Sequence, residues 1–276
     1  MPQNRQRLLF WTLISQISHS CIPARLWCGD VEKNKGCIMK KQQPKPDFEK
    51  WQKWQKNLER INDELLLIDH SRKIFLKVWD VINQNSELKK HLNGVYLNWL
   101  RHNYCVKLGM GIRRLVDPVD PKKNVSSMYS FLRDIKIKKY TQQINVDNLA
   151  QYFAHSRPNT SEGYSTHCYG LALKAYKKAF GSHRKKLLLR DLKKDIDLAL
   201  IETKKIKDYV DKNWAHTDKN KDRFETPKVL KAHDCLDTLI KIYTRYSLLI
   251  GGHEFKPYPE SVLTDWDEPL RILWVQ

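Results

Sequence analysis

The fold is decided by residues 187–214, LLLRDLKKDIDLALIETKKIKDYVDKNW. Apolar side chains recur in this stretch at steps of three and four residues, which places them on one face of a helix. Lysine and aspartate fill most other positions, as expected of a helix with one side in a core and the other in water. We therefore predict a long amphipathic helix. Its inner face consists of Leu192, Ile196, Ala199, Ile206 and Val210.

A second helix of the same kind is predicted at 228–250, after a charged loop that ends at Pro227. Gly251 and Gly252 follow it, and glycine is the usual residue just beyond a helix C-terminus. Two long helices joined by one loop are expected to pack side by side in an antiparallel bundle. The predicted inward-facing side chains of this helix are Leu236, Leu239, Ile240, Tyr243 and Leu249.

A third long helix is predicted upstream, at 95–116. It ends before Asp117 because Pro118 restrains the preceding residue and cannot continue a helix. Gly109 and Gly111 lie inside it, and each costs a helix roughly 1 kcal/mol relative to alanine. We expect close packing against a neighbouring helix to offset that cost. The apolar stripe of this helix is Leu97, Leu100, Tyr104, Leu108, Ile112 and Leu115.

The helical pattern begins after Pro46, where Asp47 is the predicted cap of the first turn. Apolar residues then recur at helical spacing, and a second segment at 72–82 has the same spacing. Most of these aromatic and aliphatic side chains are expected to lie in the core. The first stripe is Phe48, Trp51, Trp54, Leu58, Ile61 and Leu65.

Shorter elements are predicted between these helices. Ser126 or Ser127 would cap a helix through Ile135, and another would begin near Asp147. Small, polar and turn-forming residues at 154–170 predict a loop, and no segment alternates as a β-strand does. The sequence therefore predicts an all-α protein, an antiparallel helical bundle with extra short helices and loops, formed as one domain by residues 47–276.

Residues 1–38 differ from this pattern. Their apolar stretch at 8–14 is far too short to span a bilayer, so no membrane anchor is predicted. A basic start and a short apolar core are ingredients of a signal peptide, but no small-x-small cleavage site follows. We expect a poorly structured N-terminal extension that reflects a start placed too early, with Met39 as the natural start.

The formal net charge of +19 is the first indication of function. A basic surface attracts polyanions through its long-range field and through counterion release, although a lysine-rich helical protein can carry such a charge without a specific partner. Basic residues are dense at 174–194, which predicts either a nucleic-acid contact surface or a solvated face. The residues concerned are Lys177, Lys178, Arg184, Lys185 and Lys186.

The six cysteines are not spaced as Cys-x-x-Cys, which argues against a zinc ribbon or a thioredoxin-type site. We expect free thiols in a reducing compartment, and hence a cytoplasmic protein. Neighbouring pairs such as His233 and Asp234 do not reach the three or four ligands of a metal site. Phosphate-binding loops, serine-nucleophile elbows and zinc-protease motifs are absent from the sequence. Neither a metal nor a cofactor is predicted.

Four segments together resemble the HEPN superfamily, in particular its branch of uncharacterised bacterial proteins related to abortive-infection proteins. They are residues 99–104 (WLRHNY), 111–117 (GIRRLVD), 126–135 (SSMYSFLRDI) and 209–218 (YVDKNWAHTD). The resemblance covers the chain from about residue 47 to its C-terminus. It implies a small helical bundle that often dimerises, and many such proteins are metal-independent ribonucleases of toxin, antiphage or RNA-processing systems. RNA, a second copy of the chain, and a cognate antitoxin or nucleotidyltransferase are the implied partners.

The usual HEPN motif is an arginine followed, after four to six residues, by a histidine. Histidine titrates near neutral pH and can carry a proton, while an arginine fork stabilises phosphate charge. His216 matches the histidine, but Tyr209, Val210 and Asp211 occupy the arginine positions. Lys212 is only a point charge and does not replace a bidentate fork.

The sequence therefore predicts that the missing arginine comes from the helix that ends at Asp117. Arg113 and Arg114 are the candidates, and Asp117 could orient Arg113 through an i,i+4 pair. The resulting catalytic candidates are His216, Arg113 and Arg114. The supporting residues are Asp117, Lys212, Asp218 and Tyr209.

A structural role for the same residues stays open. Arg113, Asp117, Lys212, His216 and Asp218 could form a hydrogen-bonded ionic network that fixes helix register. A histidine is favourable near a helix C-terminus, and an aspartate can cap the turn that follows. Under this alternative the protein is a non-catalytic helical interaction scaffold or an antitoxin-like partner.

Overall fold

The computed structural model describes residues 47–91, 94–118, 126–155, 163–181, 184–215 and 229–256. Helices make up nearly all of them, and the backbone pairing outside helices is a single bridge between Asn145 and Lys186. The predicted all-α class is confirmed. In chain order the helices are α1 (Phe48–Gln84), α2 (Ser86–His91), α3 (Gly94–Val116), α4 (Met128–Ile135), α5 (Lys138–Gln143), α6 (Val146–His155), α7 (Gly163–Phe180), α8 (Leu189–Val210) and α9 (Val229–Gly251), with a π-helical turn, Asp211–Ala215, continuing α8.

Four long helices, α1, α3, α8 and α9, form a bundle in which each packs on at least two of the others, and α3 and α9 pack on all three. The contacts between α1 and α3 show that they run antiparallel, because partners later in α1 meet residues earlier in α3. The Phe75 and Tyr104 rings stack at 3.9 Å, and Arg114 Nη2 lies 2.5 Å from Glu64 Oε1. The predicted antiparallel bundle is therefore present.

The α8–α9 and α1–α9 pairs are antiparallel for the same reason. Polar contacts fix their registers. Between α9 and α8, Cys235 Sγ donates to the Glu202 carbonyl at 2.9 Å and Tyr246 Oη donates to Asp195 Oδ2 at 2.9 Å. Between α1 and α9, Trp51 Nε1 donates to the Ile250 carbonyl at 2.8 Å and Arg72 Nη1 donates to Asp237 Oδ1 at 2.5 Å. Because each of these donors has an acceptor on the neighbouring helix, the helices pack together without leaving the donor unsatisfied.

Most residues of the predicted stripes point into the core, whereas Leu97 and Leu100 of α3 are partly buried and lie outside it. The inner residues proposed for α8 are all buried, as are Trp51 and Trp54 of α1. Asp47 caps α1, since its side chain accepts from the Lys50 amide at 3.0 Å. Gly252 has φ +70° at the end of α9, a conformation that favours glycine. The segment at 72–82 is part of the same continuous helix as the first stripe.

The loop predicted at 154–170 is wrong for its described part. Residues 154 and 155 belong to α6, and α7 begins at Gly163. Local preference for a turn is overridden by packing, because α7 lies against α6 and α9. It buries Cys168, Ala172 and Tyr176 there.

Close packing is confirmed for one glycine of α3. A Cβ atom at Gly111 would lie 2.6 Å from the Ile68 side chain of α1, so only glycine allows the two helices to approach this closely. All described residues fall within one compact unit, Pro44–Gln276, and the expectations for residues 1–38 lie outside the described part. None of the described helices is long and apolar enough to cross a membrane.

Candidate functional site

Arg113, in the last turn of α3, reaches across to the C-terminal end of α8. Its Nη1 lies 2.9 Å from Asp117 Oδ2, which confirms the geometry of the predicted i,i+4 pair. Its Nε donates to Asp211 Oδ1. Lys207 Nζ donates to Asp211 Oδ2 at 2.9 Å and lies 3.9 Å from Asp117 Oδ1. We name these four residues, Arg113, Asp117, Lys207 and Asp211, the ion cluster.

The ion cluster is charge-balanced, with two cations and two carboxylates. Burial would raise the pKa of Asp211, but hydrogen bonds from Lys207 and Arg113, together with their charges, hold it below its usual value. The pKa of Arg113 is raised, mainly by its hydrogen bond with Asp211. All four side chains keep between a fifth and a third of their surface exposed, so a dissolved polyanion can reach them.

Local sequence positions the cluster. Pro118 ends α3 directly after Asp117, and the buried Ser127 hydroxyl donates to the Asp117 carbonyl at 2.7 Å. The same hydroxyl accepts from the Ser130 amide at 3.1 Å and caps α4. The end of α3 is thus tied to the start of α4, which fixes where Arg113 and Asp117 lie.

The two candidate arginines point in different directions. Successive helix residues are rotated by about 100°, so Arg114 faces α1 while Arg113 faces α8. Arg114 Nε and Nη2 lie 3.1 and 2.5 Å from Glu64 Oε1. The structure therefore brings Arg113, and not Arg114, to the segment that leads to His216.

The turn that carries Asp211 is unusual. Residues Asp211–Ala215 form a π-helical turn, a feature often found at functional sites. Asn213 Nδ2 donates to the Tyr209 carbonyl at 3.0 Å and supports this wider turn. Tyr209 and Lys212 are partly buried on either side of Asp211. His216 and Asp218 lie outside the described residues.

A groove lies next to the ion cluster, between α3, α8 and α9. Its volume is about 250 Å³. Among the described residues, polar side chains line one part and apolar ones the rest: they are Asn98, Arg101, His102, Cys105, Leu108, Gly109, Ile206, Tyr209, Val210, Val229 and Ala232. Tyr209 and Val210 directly precede Asp211, so the groove opens beside the candidate site.

The basic residues singled out from the sequence lie elsewhere, on α7 and on the segment after it. Lys177 and Lys178 are exposed in the last turns of α7. Lys178 forms an ion pair with Glu254, and Arg184 Nη1 lies 2.9 Å from Asp191 Oδ2. Lys185 and Lys186 are exposed next to the bridge with Asn145. Because α7 packs on α6 and α9, this surface is not part of the ion cluster.

Another titratable cluster joins α1, α3 and α9. The Tyr104 hydroxyl lies 2.5 Å from His233 Nε2, and Arg72 binds both Asp69 and Asp237. Burial lowers the pKa of His233, and the charge of Arg72 lowers it further, against the opposing effect of Asp237 and Asp234. Burial raises the pKa of Tyr104. A neutral imidazole that accepts a hydrogen bond from the protonated Tyr104 hydroxyl fits both shifts.

Sequence reasoning missed two members of the ion cluster, Lys207 and Asp211. Their spacing of four residues on α8 was the available signal, since such a pair faces one side of a helix. From the sequence alone, Asp211 stands only as an occupant of the arginine position of the motif. In the part of the chain that the structure describes, no group of three or more His, Cys, Asp or Glu side chains could hold a metal ion.

Comparison with known proteins finds a family model that matches the chain. The model of the family described as HEPN_AbiU2, AbiU2, matches residues 52–268, which is most of the chain and includes every element of the ion cluster and the groove. No curated protein and no solved structure matches the chain.

Proposed function

Because the chain belongs to the AbiU2 family of HEPN proteins, we propose that it acts on RNA in an abortive-infection type of defence, as an endoribonuclease that uses no metal ion. The observation that carries this proposal is the position of Arg113. It lies on a different helix from the usual motif, yet its guanidinium binds Asp211, five residues before His216. This position supports Arg113 as the substitute for the arginine that the motif lacks in sequence.

The proposed chemistry uses the 2′-hydroxyl of RNA as the nucleophile. His216 accepts the hydroxyl proton while the 2′-oxygen attacks the adjacent phosphorus. The bond from phosphorus to the 5′-oxygen breaks, and that oxygen takes a proton from water, leaving a 2′,3′-cyclic phosphate and a 5′-hydroxyl. The hydroxide that remains takes the proton from His216, which returns the imidazole to its neutral form. Arg113 stabilises the negative charge that develops on the phosphate oxygens.

Arg113 is bound by two carboxylates, so a phosphate that binds its guanidinium has to replace one of them. The guanidinium offers five N–H donors in a fixed fork, and its side chain is about one quarter exposed. A phosphate can therefore replace the Asp211 contact, while Asp117 keeps the side chain oriented. Lys207, which is bound to Asp211, stays beside the exchanged carboxylate.

The test is an RNA cleavage assay with purified protein in the presence of EDTA. Wild-type protein is expected to cut single-stranded RNA and leave cyclic phosphate ends. His216→Ala is expected to abolish cutting while the far-ultraviolet circular dichroism of the helices stays the same. Wild-type protein that neither binds nor cuts RNA at low salt would defeat the proposal.

A second function, that of a non-catalytic scaffold or antitoxin-like partner, is favoured by the charge balance of the ion cluster. Four groups that satisfy each other can fix the register of α3 and α8 without any ligand. Under this alternative His216→Ala lowers the melting temperature and changes no activity, and a partner co-purifies with the chain. In either case we propose that the chain forms a homodimer, has a partner encoded by a neighbouring gene and is located in the cytoplasm.

A further inference from the structure

The N-terminal half of α3 carries two exposed aromatic rings beside the groove. Trp99 is 59% exposed and Tyr96 40% exposed. Their ring centroids are 6.0 Å apart, with the planes inclined by 28°. Most large aromatic side chains of the described core are buried, so a stacked pair held in water does little for folding. We name Tyr96 and Trp99 the aromatic platform.

The charged residues of the helix that carries this platform have one sign. Helix α3 contains no aspartate or glutamate in all of its residues, Gly94–Val116. It carries Arg101, His102 and Lys107, whose side chains are exposed. Helix α8 differs in this respect, because aspartate and glutamate are interspersed with its lysines. An aromatic surface on a helix whose charged residues are all cationic is complementary to a polyanion whose subunits have flat faces.

The platform borders the groove along one helix, because Trp99 lies three residues before His102, which lines the groove, and side chains at i and i+3 are neighbours on a helix surface. Asn98 and Arg101 also line the groove, whose lining extends to Tyr209 of α8. A cavity of about 150 Å³ holds a benzene molecule, so the groove volume of about 250 Å³ has room for one nucleobase. Its apolar floor suits a base, and Arg101 and His102 at its edge suit the attached phosphate.

We propose that the aromatic platform and the groove form a subsite for unpaired RNA, in which bases stack on Tyr96 and Trp99 and Arg101 binds the backbone. The inference rests on the proposed action on RNA and names the place where the unpaired strand binds. Bases in a duplex hide their faces against each other, whereas an unpaired strand can present them to aromatic side chains. The groove would then lead the strand towards the ion cluster.

Fluorescence anisotropy with a labelled single-stranded oligouridine tests the subsite. Trp99→Ala and Tyr96→Ala are each expected to raise Kd by about five- to a hundredfold, the range for loss of one base–aromatic contact. Ile201→Ala is the matched control, because Ile201 is 69% exposed on α8 and lies outside the groove. It is expected to bind as the wild type does.

Salt dependence separates the two kinds of contact. Arg101→Gln is expected to reduce the slope of log K against log salt by about one, because one phosphate contact is lost. Trp99→Ala is expected to weaken binding with the slope unchanged, since stacking releases no counterions. A duplex of the same length is expected to bind Trp99→Ala and wild-type protein equally.

Cleavage kinetics distinguish failure of the subsite from failure of the proposed function. Trp99→Ala is expected to raise KM with little change in kcat, whereas His216→Ala is expected to abolish kcat and keep the wild-type Kd.

If wild-type protein binds oligouridine and Trp99→Ala binds it equally well, the subsite is wrong and action on RNA stands. If the wild type binds no RNA at low salt, both are wrong. If Trp99→Ala turns a dimer into a monomer that binds RNA normally, the platform is a contact between copies and the inference is overturned.

Discussion

Arg113 Nε of α3 donates to Asp211 Oδ1 at the end of α8, and this bond connects the two helices that frame the candidate site. The partners are 98 residues apart in the chain. Lys207 holds the other oxygen of the same carboxylate at 2.9 Å. The position of Asp211 therefore determines both where Arg113 points and how its charge is compensated.

Asp211→Asn is expected to destabilise the protein at pH 7 by about 1–3 kcal/mol, since a charge-assisted hydrogen bond pair is lost. The pKa of Asp211 is lower in the folded protein than its unfolded value of about 3.9. Its contribution is thus fully present above the unfolded pKa and lost as the pH falls through the folded one. Urea unfolding from pH 7 to pH 3 should show the difference between variant and wild type shrinking. A difference that stays constant over this range would contradict the assignment.

Arg113→Lys is expected to lower kcat for RNA cleavage by about a hundredfold or more, because a lysine keeps the charge and loses the fork. Arg114→Lys is expected to affect cleavage much less, since Arg114 faces Glu64 on α1. Single-turnover rates at saturating RNA measure both. The reverse ranking would transfer the role to Arg114. Arg190→Lys, at an exposed position early in α8, serves as the surface control.

Gly111→Ala is expected to destabilise the protein by about 1–3 kcal/mol, because the new methyl group would lie 2.6 Å from the Ile68 side chain in a packed interface. Gly94→Ala is the matched control on the same helix, since nothing lies within 4 Å of its added Cβ. Adding Ile68→Val, which removes the Cδ1 atom, is expected to recover part of the loss. Denaturant midpoints of the four proteins check this, and equal midpoints for the two alanine variants would refute the close approach.

His233→Gln is expected to remove part of the acid sensitivity of the fold. The pKa of His233 is lower in the folded protein than its unfolded value of about 6.5. The neutral ring therefore contributes stability that is fully present above pH 6.5 and lost as the pH falls through the folded pKa. Glutamine can accept the Tyr104 hydrogen bond and does not titrate. Between pH 8 and pH 5 the melting temperature is expected to fall further for the wild type than for the variant.

Several features of the fold follow from the sequence alone. The helical stripes of α3, α8 and α9 and the ends marked by Pro118 and Gly252 depend on interactions within a few residues, which the chain carries locally. The Arg113–Asp117 pair is likewise local. The continuous length of α1 and the helix at 163–180 were not predicted, because tertiary packing overrides the weak local preference of their polar and small residues.

The sequence by itself determined that Arg113 and Arg114 lie near the end of a helix, that His216 lacks the usual arginine before it, and that Gly111 requires a close neighbour. Only the tertiary structure decided that Asp211 is the partner of Arg113, and that α3, which carries the exposed Trp99, also lines the groove. The physical reason is the rotation of about 100° per helical residue. It sends adjacent side chains towards different helices, and which helices stand there depends on contacts between distant parts of the chain.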